Sequence, residues 1–536
     1  MPHTPLLRAL QQFARDVRAS RATGVPVDEL RAIRREGISR RKLLAGAAAG
    51  AAGLALARPR RALAASQSQT VTIVGGGIAG LNCALTLRDQ GFASTVYEAS
   101  GRLGGRMFSN NGGYWDAGQV SEWCGELIDT GHKTIRDLAA RYALPLDDLH
   151  AAEPNKSTET YLFDGSYYPF DQAVADFADV SDALAADLAN APFPTLYNSY
   201  TADGAELDHT SVYDWIESRV PGGHTAPFGQ LLDVAYAIEY GADTAVQSSL
   251  NLIYLLGFQP KNDFVLFGQS DERFHIRGGN QQLPLAIAAD LGPDVVKTGY
   301  SLVRLAETPN GRYTCTFARG GGTVEVTSDF VVLAIPFAVL AGIDTSGAGF
   351  DALKNTAIQQ LGRGHNGKLQ LQFAARTWLG KGPWPGKANG SSYADTGYQN
   401  TWEVTRAQPG TPGILVMYSG GSVTDGMKTT TPYTTASDPD VVSDARRGLR
   451  QLAPVYPDLS WNGKATQSLP HKSPFFNASY SYWKTGQYTE FAGYERHPLG
   501  GVYFCGEHTS IDFQGYMEGG AKTGKHTANK LAKVLT

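Results

Sequence analysis

Gly75-Gly76-Gly77-Ile78-Ala79-Gly80 stands between the β-branched run Thr70-Val71-Thr72-Ile73-Val74 and a helical pattern through Leu81, Leu85 and Leu87. Glycines at this spacing allow a tight turn, a close approach of backbone to a pyrophosphate, and contact between helix and sheet. The helix N-terminus then stabilises the phosphate charge. The next strand pattern, Ser94-Thr95-Val96-Tyr97, leads into Glu98, eighteen residues past Gly80, where a carboxylate can accept hydrogen bonds from ribose hydroxyls. Strand, turn, helix, strand and carboxylate in that order predict a dinucleotide site on Gly75, Gly77, Ile78, Ala79, Gly80, Glu98 and Ala99. Gly101-Arg102-Leu103-Gly104-Gly105-Arg106 follows at once, and a glycine-flanked guanidinium near a pyrophosphate suits a bidentate contact. Lys368 offers something different. It lies in the strand pattern Lys368–Phe373, where a lysine costs desolvation energy unless it reaches water or a partner.

The elements that must position these residues are spread along the chain. Asp329-Phe330-Val331-Val332-Leu333-Ala334-Ile335-Pro336 has the pattern of a buried strand ending at proline. Helical periodicity covers Val174–Leu188 and Val441–Leu452, and a further strand pattern covers Gly413–Tyr418. The Gly/Ser/Thr-rich stretches 386–400 and 419–438 are predicted as loops. Gly501-Val502-Tyr503-Phe504-Cys505-Gly506-Glu507-His508-Thr509-Ser510 and Gly515-Tyr516-Met517-Glu518-Gly519-Gly520-Ala521 close the chain.

The two glycine turns and this terminal segment resemble the FAD-dependent flavin monoamine oxidase family, which includes amine, polyamine and L-amino acid oxidases. The resemblance implies an α/β fold, with a discontinuous Rossmann-type FAD-binding domain (65–145, 270–345 and 490–536) and an inserted α+β substrate domain (146–269 and 346–489). It implies that FAD is held by Gly104, Gly105 and Arg106 at the second turn, by Val296 backbone at the adenine, and by Gly506, Glu507, Tyr516 and Met517 at the flavin end. A helix starting near Tyr516 would aim its N-terminus at the flavin C2 carbonyl. Lys368 occupies the position of the family's lysine that holds a water beside flavin N5.

The family also flanks its substrate amine with two aromatic rings. Tyr516 matches one, and an ungapped count back from Pro498 and Gly506 nominates Trp483 or Tyr482 for the other. The same count places Ala478 where mammalian monoamine oxidases carry the cysteine joined to FAD, so a noncovalent flavin is expected. No arginine lies between Arg106 and Arg136 to pair with an amino-acid carboxylate, whereas Glu122, Glu126 and Asp129 would suit a distal ammonium, as in a polyamine. The expected function is therefore oxidation of an amine to an imine, with dioxygen reduced to hydrogen peroxide. An L-amino acid oxidase remains open, with Arg273 or Arg277 from the cap as a carboxylate partner. So do a flavin desaturase or dehydrogenase and a flavin-binding module without turnover. No histidine stands at ligand spacing from His132, and no metal is expected.

Composition limits the partners. The 536 residues are 42% hydrophobic and 10% aromatic, which suits a large globular core. Cys83, Cys124, Cys315 and Cys505 are far apart with no CxxC pair, so free thiols are expected. Residues 1–64 hold 13 Lys and Arg against 4 Asp and Glu, and the rest of the chain is strongly acidic, which disfavours nucleic acid and draws cations. Within that basic leader, Ser39-Arg40-Arg41-Lys42-Leu43-Leu44, an Ala/Gly/Leu run to Ala57 and Ala62-Leu63-Ala64 resemble a twin-arginine export signal. It implies the twin-arginine export machinery as a partner and a periplasmic or secreted protein.

Overall fold

A computed structural model describes residues 69–261 and 264–535. The leader, 1–64, lies outside the described residues. The short β-branched runs pair in parallel into a five-stranded sheet, in the order Val502–Phe504, Phe330–Leu333, Val71–Val74, Thr95–Glu98, Val296–Thr298. Its central strand Val71–Val74 is buried throughout, as an all-parallel sheet covered on both faces requires. Because the strands are parallel, Gly75, Ala99, Ala334 and Cys505-Gly506 all emerge at the same edge, the carboxyl end where α/β sheets bind ligands.

The glycine turn opens the helix Ile78–Asp89, which packs along the terminal helix Met517–Ala532. Gly524 makes this crossing possible, since a Cβ there would lie 2.1 Å from the Ala79 carbonyl oxygen. Asn82 seals it by donating from Nδ2 to the Ala521 carbonyl at 2.7 Å.

The second layer is an eight-stranded sheet with the order Tyr433–Thr435, Trp461–Ser468, Asn366–Phe373, Gly413–Gly420, Asn400–Glu403, Ala388–Ala394, Thr158–Phe163, Ser166–Tyr168. Lys368 pairs with Tyr418 on one side and Ser468 on the other, so its strand is internal to the sheet. The predicted loop 386–400 is corrected here, because Ala388–Ala394 is a strand of this sheet. Its hydroxyls are satisfied laterally, with Ser392 Oγ 2.6 Å from Thr401 Oγ1 and 2.8 Å from the Tyr398 hydroxyl, so sheet burial overrides a turn-like composition. The stretch 419–438 likewise contains the helix Gly421–Asp425 and the strand Tyr433–Thr435. Among the described residues the four cysteines are free, and no helix is long and apolar enough to cross a membrane.

Candidate active site

A cavity of about 710 Å³ opens between the two sheets. Gly75, Gly77, Ile78, Ala79, Glu98, Ala99, Gly104, Gly105, Arg106, Gly506, Glu507, Tyr516 and Met517 all line it, so both glycine turns and the chain terminus meet at one space. Glu98 fixes the first turn by accepting from Gly76 N at 2.7 Å and from Ser100 N at 2.8 Å. The turns touch, since Gly104 N donates to the Gly76 carbonyl at 2.9 Å. Glu507 ties three segments together. It pairs with Arg106 Nη1 at 3.0 Å and accepts from Ser481 Oγ at 2.8 Å and Gly515 N at 2.9 Å. Burial pulls its carboxyl upward, yet Arg106 and these donors leave it below its ordinary value.

Two of the residues predicted to hold the cofactor are not on the wall. Gly80 lies behind it, where a Cβ would stand 2.0 Å from the Gly75 carbonyl oxygen, so its role is to let the helix start. Val296 sits in the outermost strand against Val96, and Ser301 and Leu302 line the cavity instead. The sequence placed the β-rich segment correctly but not its register, because the chain turns at Gly299 before reaching the cavity.

The aromatic prediction needs a similar correction. Trp483 packs in the core against Tyr488 and Phe491 at 5.1 and 5.8 Å between ring centroids, and Tyr482 pairs with Gly362 in a short ladder. The ring that lines the cavity is Tyr480, beside Tyr516: a Cβ on the intervening Gly515 would lie 3.6 Å from Tyr480 Cδ2. An ungapped count cannot register a short aromatic run, where a two-residue slip keeps the same face. The Tyr480 hydroxyl donates to the Ile238 carbonyl at 3.1 Å and lies 3.0 Å from the Tyr418 hydroxyl, while the Tyr516 hydroxyl donates to Glu239 Oε1 at 2.9 Å.

The three predicted substrate carboxylates are all engaged elsewhere. Glu122 is wholly buried and accepts from Ser109 Oγ, His275 Nε2 and Asn280 N, each at 2.8 Å. Asp129 is held by Ser270 Oγ at 2.8 Å and Glu272 N at 3.0 Å, and burial pushes it up to about 7. Neither lines the cavity. Glu126 does, but it pairs with Lys368 at 2.6 Å and accepts from Trp402 Nε1 at 2.9 Å. Lys368 is 6% exposed and also donates to the Cys124 carbonyl at 2.8 Å.

Two carboxylates that the sequence reading missed face the cavity, Glu239 and Glu272. Neither has an ion pair among the described residues. Burial raises Glu239 to about 7, and burial together with Asp129 and Glu239 raises Glu272 well above the ordinary range. The available signal was a single carboxylate in the last turn of the apolar helix Pro227–Tyr240, flanked by Ile238 and Tyr240. Arg273 and Arg277 are spent on Asp148 and Asp147, outside the cavity.

The family model for flavin-containing amine oxidoreductases matches residues 78–532. The chain belongs to this family. It is 25% identical to an L-amino acid dehydrogenase of Synechocystis over 504 residues, covering 89% of this chain and 98% of that one. It is 24% identical to polyamine oxidase 1 of Zea mays, covering 88% and 91%. Cyclohexylamine oxidase from Brevibacterium oxydans shares its fold, with a TM-score of 0.72 at 21% identity, covering 87% of this chain and 99% of that structure. The protein is thus an FAD-dependent amine oxidoreductase, and the resident residues fit the cofactor. A Cβ on Gly77 would meet nothing closer than Gly105 Cα at 3.9 Å, so the turn leaves room for a pyrophosphate. On the same wall His508 is buried with both ring nitrogens lacking partners among the described residues, and burial holds it neutral with a pKa of about 4.

Proposed function

We propose that this enzyme oxidises amines carrying a second cationic nitrogen, diamines or polyamines, and passes the electrons to dioxygen. The observation that carries this reading is the pair Glu239 and Glu272 on the cavity wall, neither of which has an ion-pair partner among the described residues. Carboxylates desolvated in this way gain most from a ligand ammonium, which restores the charge partner that burial removed. FAD held by the two glycine turns, Arg106, Glu507 and the start of the helix after Tyr516 would supply the redox chemistry, two-electron oxidation of the amine to an imine with dioxygen reduced to hydrogen peroxide. Tyr480 and Tyr516 orient the reacting amine between their rings, and the apolar walls exclude water. That amine must be neutral to react, so turnover rises with pH as it loses its proton.

The likeness to an L-amino acid dehydrogenase favours an amino-acid substrate as the alternative. Against it, the arginines lining the cavity among the described residues are Arg102 and Arg106, both in the second glycine turn. A peroxide-coupled screen of monoamines, diamines, polyamines and L-amino acids separates the two readings. Diamines turning over no better than monoamines would remove this one, and an absence of peroxide would remove dioxygen as acceptor.

The flavin is proposed to be noncovalent, since Ala478 and its neighbour Ser479 offer no thiol. Lys368 is proposed to act on the dioxygen step through its charge. Lys368→Met should slow reoxidation on the order of 100-fold, the scale of one lost electrostatic contact in a closed site. Stopped-flow reoxidation of the yellow variant checks this, and wild-type kinetics would take Lys368 out of the site.

Export through the twin-arginine route is likewise proposed, on the leader residues alone. Arg40→Lys with Arg41→Lys should retain the protein in the cytoplasm with its leader intact. Fractionation and the mass of the mature N-terminus read the result.

A further inference from the structure

Lys368 belongs to a connected set of groups. Its ammonium donates to Glu126 Oε2 at 2.6 Å and to the Cys124 carbonyl at 2.8 Å, which leaves one N–H without a protein acceptor among the described residues. The other oxygen of Glu126 accepts from Trp402 Nε1 at 2.9 Å, and the Lys368 ammonium lies 5.4 Å from the centre of the Trp402 ring. Trp402 meets Tyr418 edge to face at 5.1 Å, and the Tyr418 hydroxyl reaches that of Tyr480 at 3.0 Å. Lys368, Glu126, Trp402, Tyr418 and Tyr480 all line the cavity.

We propose that Glu126 is a positioning residue of the reaction: it keeps the Lys368 ammonium charged and fixed on the cavity wall, and Trp402 locks the carboxylate that does so. The proposal rests on the reading of Lys368 given above. Lys368 as a residue is 6% exposed, and a lysine buried in that way releases its proton readily unless an anion faces it. Glu126 is the carboxylate in contact. Burial alone would raise its own pKa, but the charge of Lys368, that ammonium's hydrogen bond and the Trp402 N–H together hold it below the ordinary value. With one oxygen on the indole and the other on the ammonium, the carboxylate cannot turn without losing a bond, so the lysine's remaining N–H keeps a fixed place on the wall.

The surrounding titratable groups are the Cys124 thiol and the Tyr418 and Tyr433 phenols, all raised by burial, together with Arg102, Arg106 and His275. His275 is bonded to Glu122 and raised by it, although burial opposes this, and Glu126 adds to the effect.

The test compares Glu126→Gln, an isosteric change that removes the charge and turns one of the two acceptor oxygens into an NH2 donor, with wild type, Lys368→Met and the double variant, all loaded with FAD. With the facing anion removed, the variant's rate of reoxidation by dioxygen should fall as pH rises and level off at the rate of Lys368→Met, a steeper pH dependence than that of the wild type. The midpoint potential of the bound flavin should rise at pH 6, where the variant's ammonium is no longer neutralised, and return toward wild type once the lysine loses its proton. Trp402→Phe should give a weaker version of both changes, and Glu126→Asp should restore the wild-type pH profile in part.

In the double variant this steeper dependence should vanish. If it persists there, it belongs to His275 and the proposal falls. Wild-type profile and potential in Glu126→Gln, with Lys368→Met still slow, would reduce Glu126 to a structural role. If Lys368→Met is itself as fast as wild type, the reading of the lysine fails first and the positioning role fails with it.

Discussion

Gly77→Val is expected to give a folded protein that purifies without its yellow colour. The backbone at Gly77 has φ −78° and ψ 178°, which valine adopts without strain, and the nearest atom to an added Cβ is 3.9 Å away. The apoprotein therefore has no reason to unfold. The new side chain instead fills the space that a pyrophosphate must enter to meet the turn and the helix N-terminus. A loss of at least about 100-fold in FAD affinity, about 3 kcal/mol, is expected. Gly80→Val makes the contrast, since its Cβ would overlap the Gly75 carbonyl oxygen at 2.0 Å, and this variant should fail to fold with or without FAD. The flavin-to-protein absorbance ratio and thermal melts with added FAD read both variants. A fully loaded, yellow Gly77→Val would place the cofactor elsewhere.

The second large effect concerns substrate choice. Glu239→Gln keeps one acceptor for the Tyr516 hydroxyl while it removes the charge and turns the other oxygen into an NH2 donor, so monoamine turnover should change by no more than a few-fold. For diamines kcat/KM should fall about 10- to 100-fold, the worth of a charged hydrogen bond in a desolvated site. The pH dependence has a definite sign. Burial raises Glu239 to about 7, so below that pH the carboxyl is neutral and gives an ammonium no charge partner. The wild-type preference for diamines over monoamines should therefore shrink as pH falls through about 7 and grow above it. In Glu239→Gln this dependence should flatten. Steady-state kinetics of matched monoamine and diamine pairs from pH 6 to 9 measure it, and a ratio that is constant in the wild type would separate Glu239 from substrate recognition.

What was legible in the sequence follows from the range over which each constraint acts. The first glycine turn could be identified because a backbone that must come close to a phosphate demands glycine within a few residues of a strand end, and the second turn and the start of the terminal helix through their resemblance to the family. That demand is local. Side-chain partnerships carry no such mark. Glu126 and Lys368 are 242 residues apart and Trp402 is 276 from Glu126, so nothing in the spacing could separate a carboxylate waiting for a substrate from one already holding a lysine. Nothing near Glu122 or Asp129 in the chain distinguishes them from ammonium sites, because His275 and Ser270, which engage them, lie 153 and 141 residues away.

Sequence alone thus determined the dinucleotide turn, through short-range patterns of glycine, β-branched residues and helix starts, and, through resemblance to the family, FAD, the α/β architecture and the two chain segments that enclose the site. Which aromatic rings and which carboxylates face the cavity was decided only by tertiary structure. Whether Tyr480 or Trp483 reaches the wall depends on how a strand is seated among its neighbours, and a buried charge takes its role from the partner that the fold brings to it.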